Sequence, residues 1–124
     1  MQTVAELNSF RRAAEEAGMS DEDIQDLIAY LANNPDAGDE IPGTGGCRKV
    51  RFRIRGNNKG KSGGVRTITL FSGDDLPVFL LTVFGKSQKV SLSKAERNGL
   101  KKISDQIVDE YGRRVLPLAS GERT

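Results

Sequence analysis

Apolar residues recur at two different periods along this chain, and the change of period sets the expected order of elements. Ile24, Leu27, Ile28 and Leu31 fall at i, i+3, i+4 and i+7, the stripe of a helix. Ser20 with Asp23 three residues on predicts a capping box at its start, and Asn34-Pro35 with Gly38 predicts its end. The Ala-, Glu- and Arg-rich stretch Phe10–Ala17 predicts a shorter helix before it, capped from Asn8 or Ser9 and stopped by Gly18. Gln2–Glu6 is readable as either a strand or a first helical turn.

From Val50 the period becomes two. Val50, Phe52 and Ile54 alternate with Arg51, Arg53 and Arg55, a strand with an oily face and a guanidinium face. Val65–Phe71 and Val78–Phe84 predict two more strands, joined by a turn at Gly73-Asp74-Asp75. The second of them, VFLLTVF, is apolar almost throughout, so it is expected to be central and covered on both faces. Ser93 with Glu96 predicts another capping box and a helix to about Tyr111, with Leu100, Ile103, Ile107 and Tyr111 on its buried side. Gly112 is expected to close it. The reading is a single small α+β domain over residues 1–112, with 113–124 a flexible C-terminal tail.

Composition narrows the chemistry. The chain has no histidine and one cysteine, Cys47, which excludes Ser-His-Asp and Cys-His arrangements, an internal disulfide and thiolate metal clusters. Cys47 itself reads as a small buried strand residue. No apolar run approaches a membrane span and the start lacks a signal-peptide core, so the expected location is the cytoplasm. The net charge of +2 hides a segregation: residues 1–40 hold ten acidic and two basic residues, whereas residues 41–73 hold eight basic and no acidic ones. Such a block is the electrostatic footprint of a polyanion site. A solvated basic face paired with the acidic N-terminal third is the other reading.

Gly60-Lys61-Ser62 is not a nucleotide-triphosphate loop: Arg55 stands where the motif needs its first glycine, and a strand rather than a helix is expected after it. No acidic pair accompanies the basic strand, so a magnesium-dependent nuclease has no evident ligands, and no metal or cofactor is expected. A metal-free phosphodiesterase acting on RNA remains open to these residues, because the RNA supplies the 2′-OH nucleophile. The protein need only stabilise the phosphorane with Arg or Lys and move protons. Lys59, Lys61 and Arg66 lie close enough in sequence to lower a lysine pKa for that purpose.

Ile41-Pro42-Gly43-Thr44-Gly45-Gly46, Arg48-Lys49, Gly60-Lys61-Ser62-Gly63-Gly64-Val65-Arg66, Leu80-Leu81-Thr82 and Gly85-Lys86 occur in this order, after Asn34-Pro35 and Gly38-Asp39 and before Leu92-Ser93. This pattern resembles the RelE/ParE toxin superfamily, its HigB-like branch above all, over roughly residues 3–108. The resemblance implies a RelE-like α+β fold: a short N-terminal strand, two helices, an antiparallel sheet of three to four strands and a C-terminal helix. It implies the toxin of a type II toxin-antitoxin system, an mRNA interferase that cuts mRNA on the ribosome by 2′-OH attack without metal. It implies Lys59, Lys61, Arg66 and Lys86 as the catalytic set, and RNA or ribosome contacts from Arg48, Lys49, Arg51, Arg53, Arg55 and Phe84. The implied partners are mRNA, the ribosome and a cognate helix-turn-helix antitoxin, with operator DNA reached only through that antitoxin and no membrane. The family usually carries Tyr where Phe84 stands, and Phe84 can stack on a base but has no proton to transfer. Two alternatives therefore stay beside the first: a catalytically weakened or silent relative that binds RNA or antitoxin, and a ParE-like gyrase inhibitor.

Overall fold

The computed structural model describes residues 2–54, 64–73, 75–85 and 91–123, with side chains as far as Tyr111. Strand β1 (Val4–Glu6) is followed by helices α1 (Phe10–Glu16) and α2 (Asp21–Asn33), then by strands β2 (Asp39–Glu40), β3 (Cys47–Arg53), β4 (Gly64–Leu70) and β5 (Val78–Gly85), and finally by helix α3 (Lys94–Arg123). The strands form one sheet in the order β1-β5-β4-β3-β2. β1 runs parallel to β5; all other pairs are antiparallel.

Both predicted capping boxes are formed. The Asp23 amide donates to Ser20 Oγ at 3.1 Å while the Ser20 amide donates to Asp23 Oδ2 at 2.9 Å. Ser93 and Glu96 reciprocate in the same way at 3.1 and 2.9 Å. Each box satisfies two amides that a helix start leaves without partners, which fixes where α2 and α3 begin.

The sheet separates two apolar layers. Under α1 and α2, Phe10, Leu27 and Leu31 bury against Val50, Val65 and Leu80. On the opposite face Cys47, Ile68, Leu70, Phe79 and Leu81 pack with Leu100 of α3. Burying a side chain of this size stabilises by about 1.5–3 kcal/mol, so each layer contributes enough to hold its helices on the sheet. Arg51 and Arg53 of β3 are exposed, while Phe52 between them is partly buried against the α1/α2 layer.

A β-bulge sets which residues of β5 reach which layer. Ile68 pairs with Thr82 but the next residue, Thr69, pairs with Leu80, so Leu81 is the extra residue. Strict alternation would put Leu80 and Phe84 on one face. The bulge instead sends Leu80 and Val83 to the α1/α2 layer, and Leu81 and Phe84 to the α3 layer.

Loop 41–46 is fastened from inside. Thr44 is fully buried, and its hydroxyl donates to the Ile41 carbonyl at 2.6 Å and accepts from the Cys47 amide at 3.2 Å. Ser104 of α3 donates to the Gly45 carbonyl at 3.3 Å, which seats the loop on the helix. Gly38, at φ +91°, lies against β3 so closely that a Cβ there would stand 2.5 Å from the Lys49 carbonyl oxygen; a side chain cannot be accommodated.

Several expectations are corrected. Gly112 does not close the last helix: the backbone of α3 continues to Arg123 through most of the stretch expected to be a tail. A helix-interior glycine costs about 1 kcal/mol, too little to end a helix that its neighbours favour. The strand count itself agrees with the expected fold: β1 is the short N-terminal strand, added parallel at one edge, and β2–β5 are the antiparallel four. β5 is buried on both faces as expected, but β4 is the middle strand. The turn residue Asp74 and the glycine loop from Gly56 to Gly63 lie outside the described residues.

Candidate nucleic-acid interface

The two-residue repeat of β3 places Lys49, Arg51 and Arg53 on the face shared with Cys47, away from Val50 and Phe52. In β4, Arg66 shares that face with Ile68, since Val65 points to the α1/α2 layer. The registers then line up three residues across the sheet: Arg51 is opposite Arg66, and Arg66 is opposite Phe84. Like charges directly opposite in an antiparallel pair repel. No carboxylate offsets them: among the described residues, the Lys49, Arg51, Arg53 and Arg66 side chains have no ion pair and no hydrogen bond. Arg66 is half-buried, Arg51 and Arg53 exposed. Such a row carries a concentrated positive charge on an open face of the sheet.

The other expected positions divide. Arg48 is on the opposite face of β3, where its Nη1 donates to the Gly38 carbonyl at 3.1 Å, so the structure does not bring it to the row. Phe84 is only 4% exposed and packs with Leu81 and Leu100. Its ring therefore lies largely covered, next to Arg66 in the ladder. Arg55, Lys59, Lys61 and Lys86 lie outside the described residues. The ladder does fix where their loops are tethered: residue 53 pairs with Gly64 at one end of the β3–β4 loop, and Gly85 pairs with Val65 beside it.

Neither tyrosine reaches the row. Tyr30 packs on Phe52 with ring centroids 6.1 Å apart, on the α2 side of the sheet, and Tyr111 meets Phe79 edge-on at 5.5 Å under α3. Cations are thus the chemistry available here. Among the described residues no group of three or more Cys, Asp or Glu side chains is placed to hold a metal ion.

A family model described as the RelE toxin of the RelE/RelB toxin-antitoxin system matches residues 3–119. The chain belongs to the RelE toxin family. As a RelE-family toxin it has an antitoxin as partner, and its mixed five-stranded sheet with a C-terminal helix is the fold of that family. The match runs past Gly112 into the region where α3 continues. Among the described residues no helix is long and apolar enough to cross a membrane.

Sequence reasoning missed three charged residues near the row. Asp39 and Glu40 of β2, and Arg97 of α3, join Lys49 in lining a cleft beside it. Of the three only Asp39 falls in a motif, the Gly38-Asp39 pair, and β2 pairing with the seating of α3 brings them together.

Proposed function

We propose that this RelE-family toxin, of the HigB-like branch, is a ribosome-dependent mRNA endoribonuclease that works without metal. The observation that supports this most is the pairing of Arg51 with Arg66 across the ladder, unneutralised by any described carboxylate. In the proposed reaction the 2′-oxygen of one nucleotide attacks the adjacent phosphorus, and the 5′-oxygen of the next nucleotide leaves. The products are a 2′,3′-cyclic phosphate and a 5′-hydroxyl. Arg66 stabilises the charge that builds on the phosphorane, where fixed donors act most strongly. Lys61 or Lys59, in the segment between Arg53 and Gly64, assists removal of the 2′-OH proton, and a protonated lysine of the set returns a proton to the departing 5′-oxygen. Lys86, directly after β5, completes the set. Lys49, Arg51, Arg53 and Arg55 hold the RNA backbone and the ribosome. A helix-turn-helix antitoxin neutralises the toxin in the cytoplasm and brings the complex to operator DNA.

Primer extension on an mRNA in a purified translation system, with and without ribosomes, tests this reading. Cleavage only with translating ribosomes is the expected result, abolished by Lys59→Ala together with Lys61→Ala. No cleavage in either reaction would overturn it in favour of a silent, RNA- or antitoxin-binding relative, an outcome favoured by the absence of a phenol at the row. Gyrase inhibition by the same preparation would instead mark a ParE-like target.

A further inference from the structure

Beside the arginine row, between β2, β3 and the start of α3, lies a cleft of ≈ 290 Å³. Its polar lining combines opposite charges, Asp39 with Lys49 and Arg97, over apolar walls from Ile41 and Leu92; Glu40 borders it from the other face of β2, in register with Arg48. Asp39 is in register with Lys49, yet among the described residues none of these four charged side chains is in an ion pair. The Asp39 carboxylate makes the cleft less suited than the neighbouring row to a polyanion backbone. What it favours is a group that presents N–H donors, with the two cations left to meet acceptors.

We propose that this cleft is a guanine subsite, which rests on the reading of the row as an RNA site and names the base bound next to it. Guanine alone among the RNA bases presents two adjacent donors, N1–H and the N2 amino group, to one carboxylate. Adenine and cytosine place an acceptor nitrogen beside their amino group, and uracil flanks its single N–H with carbonyls. The other edge of guanine, O6 and N7, accepts from Arg or Lys, and here Lys49 and Arg97 supply those donors. The volume is at the small end for a ligand pocket, which suits one base lying against Ile41 and Leu92. Lys49 is two residues from Arg51 on the same face, about 7 Å along the strand. An extended RNA covers that distance with one nucleotide, so a phosphate on Arg51 and Arg66 places its neighbouring base at the cleft.

The test is a titration of the 15N-labelled full chain, followed by amide shifts at Asp39, Glu40 and Leu92, with 5′-GMP, 5′-IMP, 5′-AMP and the tetranucleotides UUGU and UUUU. GMP should bind at least about fivefold more tightly than AMP, with IMP in between because it lacks the N2 amino group. UUGU should exceed both UUUU and GMP, since only RNA also engages the arginine row. Asp39→Asn with Glu40→Gln should erase the preference for guanine, and the same spectra show whether that variant is folded. Equal binding of GMP and AMP, or a preference that survives the double substitution, overturns the subsite. GMP binding as tightly as UUGU overturns the assignment to RNA in favour of a free nucleotide. None of these readouts needs cleavage: a guanine preference without nuclease activity would fault the proposed function alone, and cleavage without that preference would fault the subsite alone.

Discussion

Arg51 of β3 stands directly across the ladder from Arg66 of β4, two guanidinium groups on one face with no described carboxylate between them. The arrangement works against folding. Replacing Arg66 by Gln should raise stability by about 0.5 kcal/mol, the scale of a cross-strand charge pair, while lowering RNA cleavage. Denaturant midpoints read the first effect and primer extension the second. Added heparin should raise the melting temperature of the wild type and do so less in the variant; equal shifts would mean that the row is not the polyanion site.

Thr67 and Thr69 are fully buried in β4, and neither hydroxyl has a hydrogen-bond partner. Thr67 sits between Val50 and Val83 in the ladder, so its surroundings are apolar. Thr67→Val keeps the shape and removes an unsatisfied polar atom, and is expected to stabilise by about 1 kcal/mol. A lower urea midpoint in the variant would show that the hydroxyl is bonded in solution.

Thr44 is the opposite case. Its hydroxyl joins the Ile41 carbonyl to the Cys47 amide in a buried loop. Thr44→Val leaves both backbone groups without that partner and should cost about 2 kcal/mol. Because the loop seats on Ser104, amide exchange near Gly45 and Ser104 should accelerate in the same variant.

Burial raises the Cys47 thiol pKa above its ordinary value, and the contact with Thr44 lowers it by less. The folded state thus keeps the proton at a pH where the unfolded chain has lost it. This contribution to stability is complete below the unfolded thiol's pKa, about 8.5, and declines as pH rises from there toward the folded value. Urea unfolding at about pH 7.5 and about pH 9.5 should show a larger loss for the wild type than for Cys47→Ala. A thiol reagent should react slowly with the folded protein and quickly once it is unfolded.

Much of this was legible in the chain because it depends on neighbours in sequence. Ser20-x-x-Asp23 and Ser93-x-x-Glu96 are local hydrogen-bond patterns, and both mark helix starts where expected. The alternation of Val50, Phe52 and Ile54 with arginine fixed a two-faced strand, since a period of two is a property of the extended backbone itself. The order of motifs from Gly43-Thr44 to Gly85-Lys86 carried the family resemblance that the match over residues 3–119 bears out.

What tertiary structure decided is how distant residues meet. The apolar run of β5 has no alternation to read, and only the bulge at Leu81 turns Phe84 toward the face of Arg66, where the α3 layer then buries it. Arg48 and Arg51 look equivalent in sequence, but strand parity sends one to the Gly38 carbonyl and the other to the open row. Strand register and helix seating likewise bring Asp39, Lys49 and Arg97 to one cleft. Such meetings depend on long-range pairing energies shared by many residues, which no local pattern of polar and apolar positions encodes.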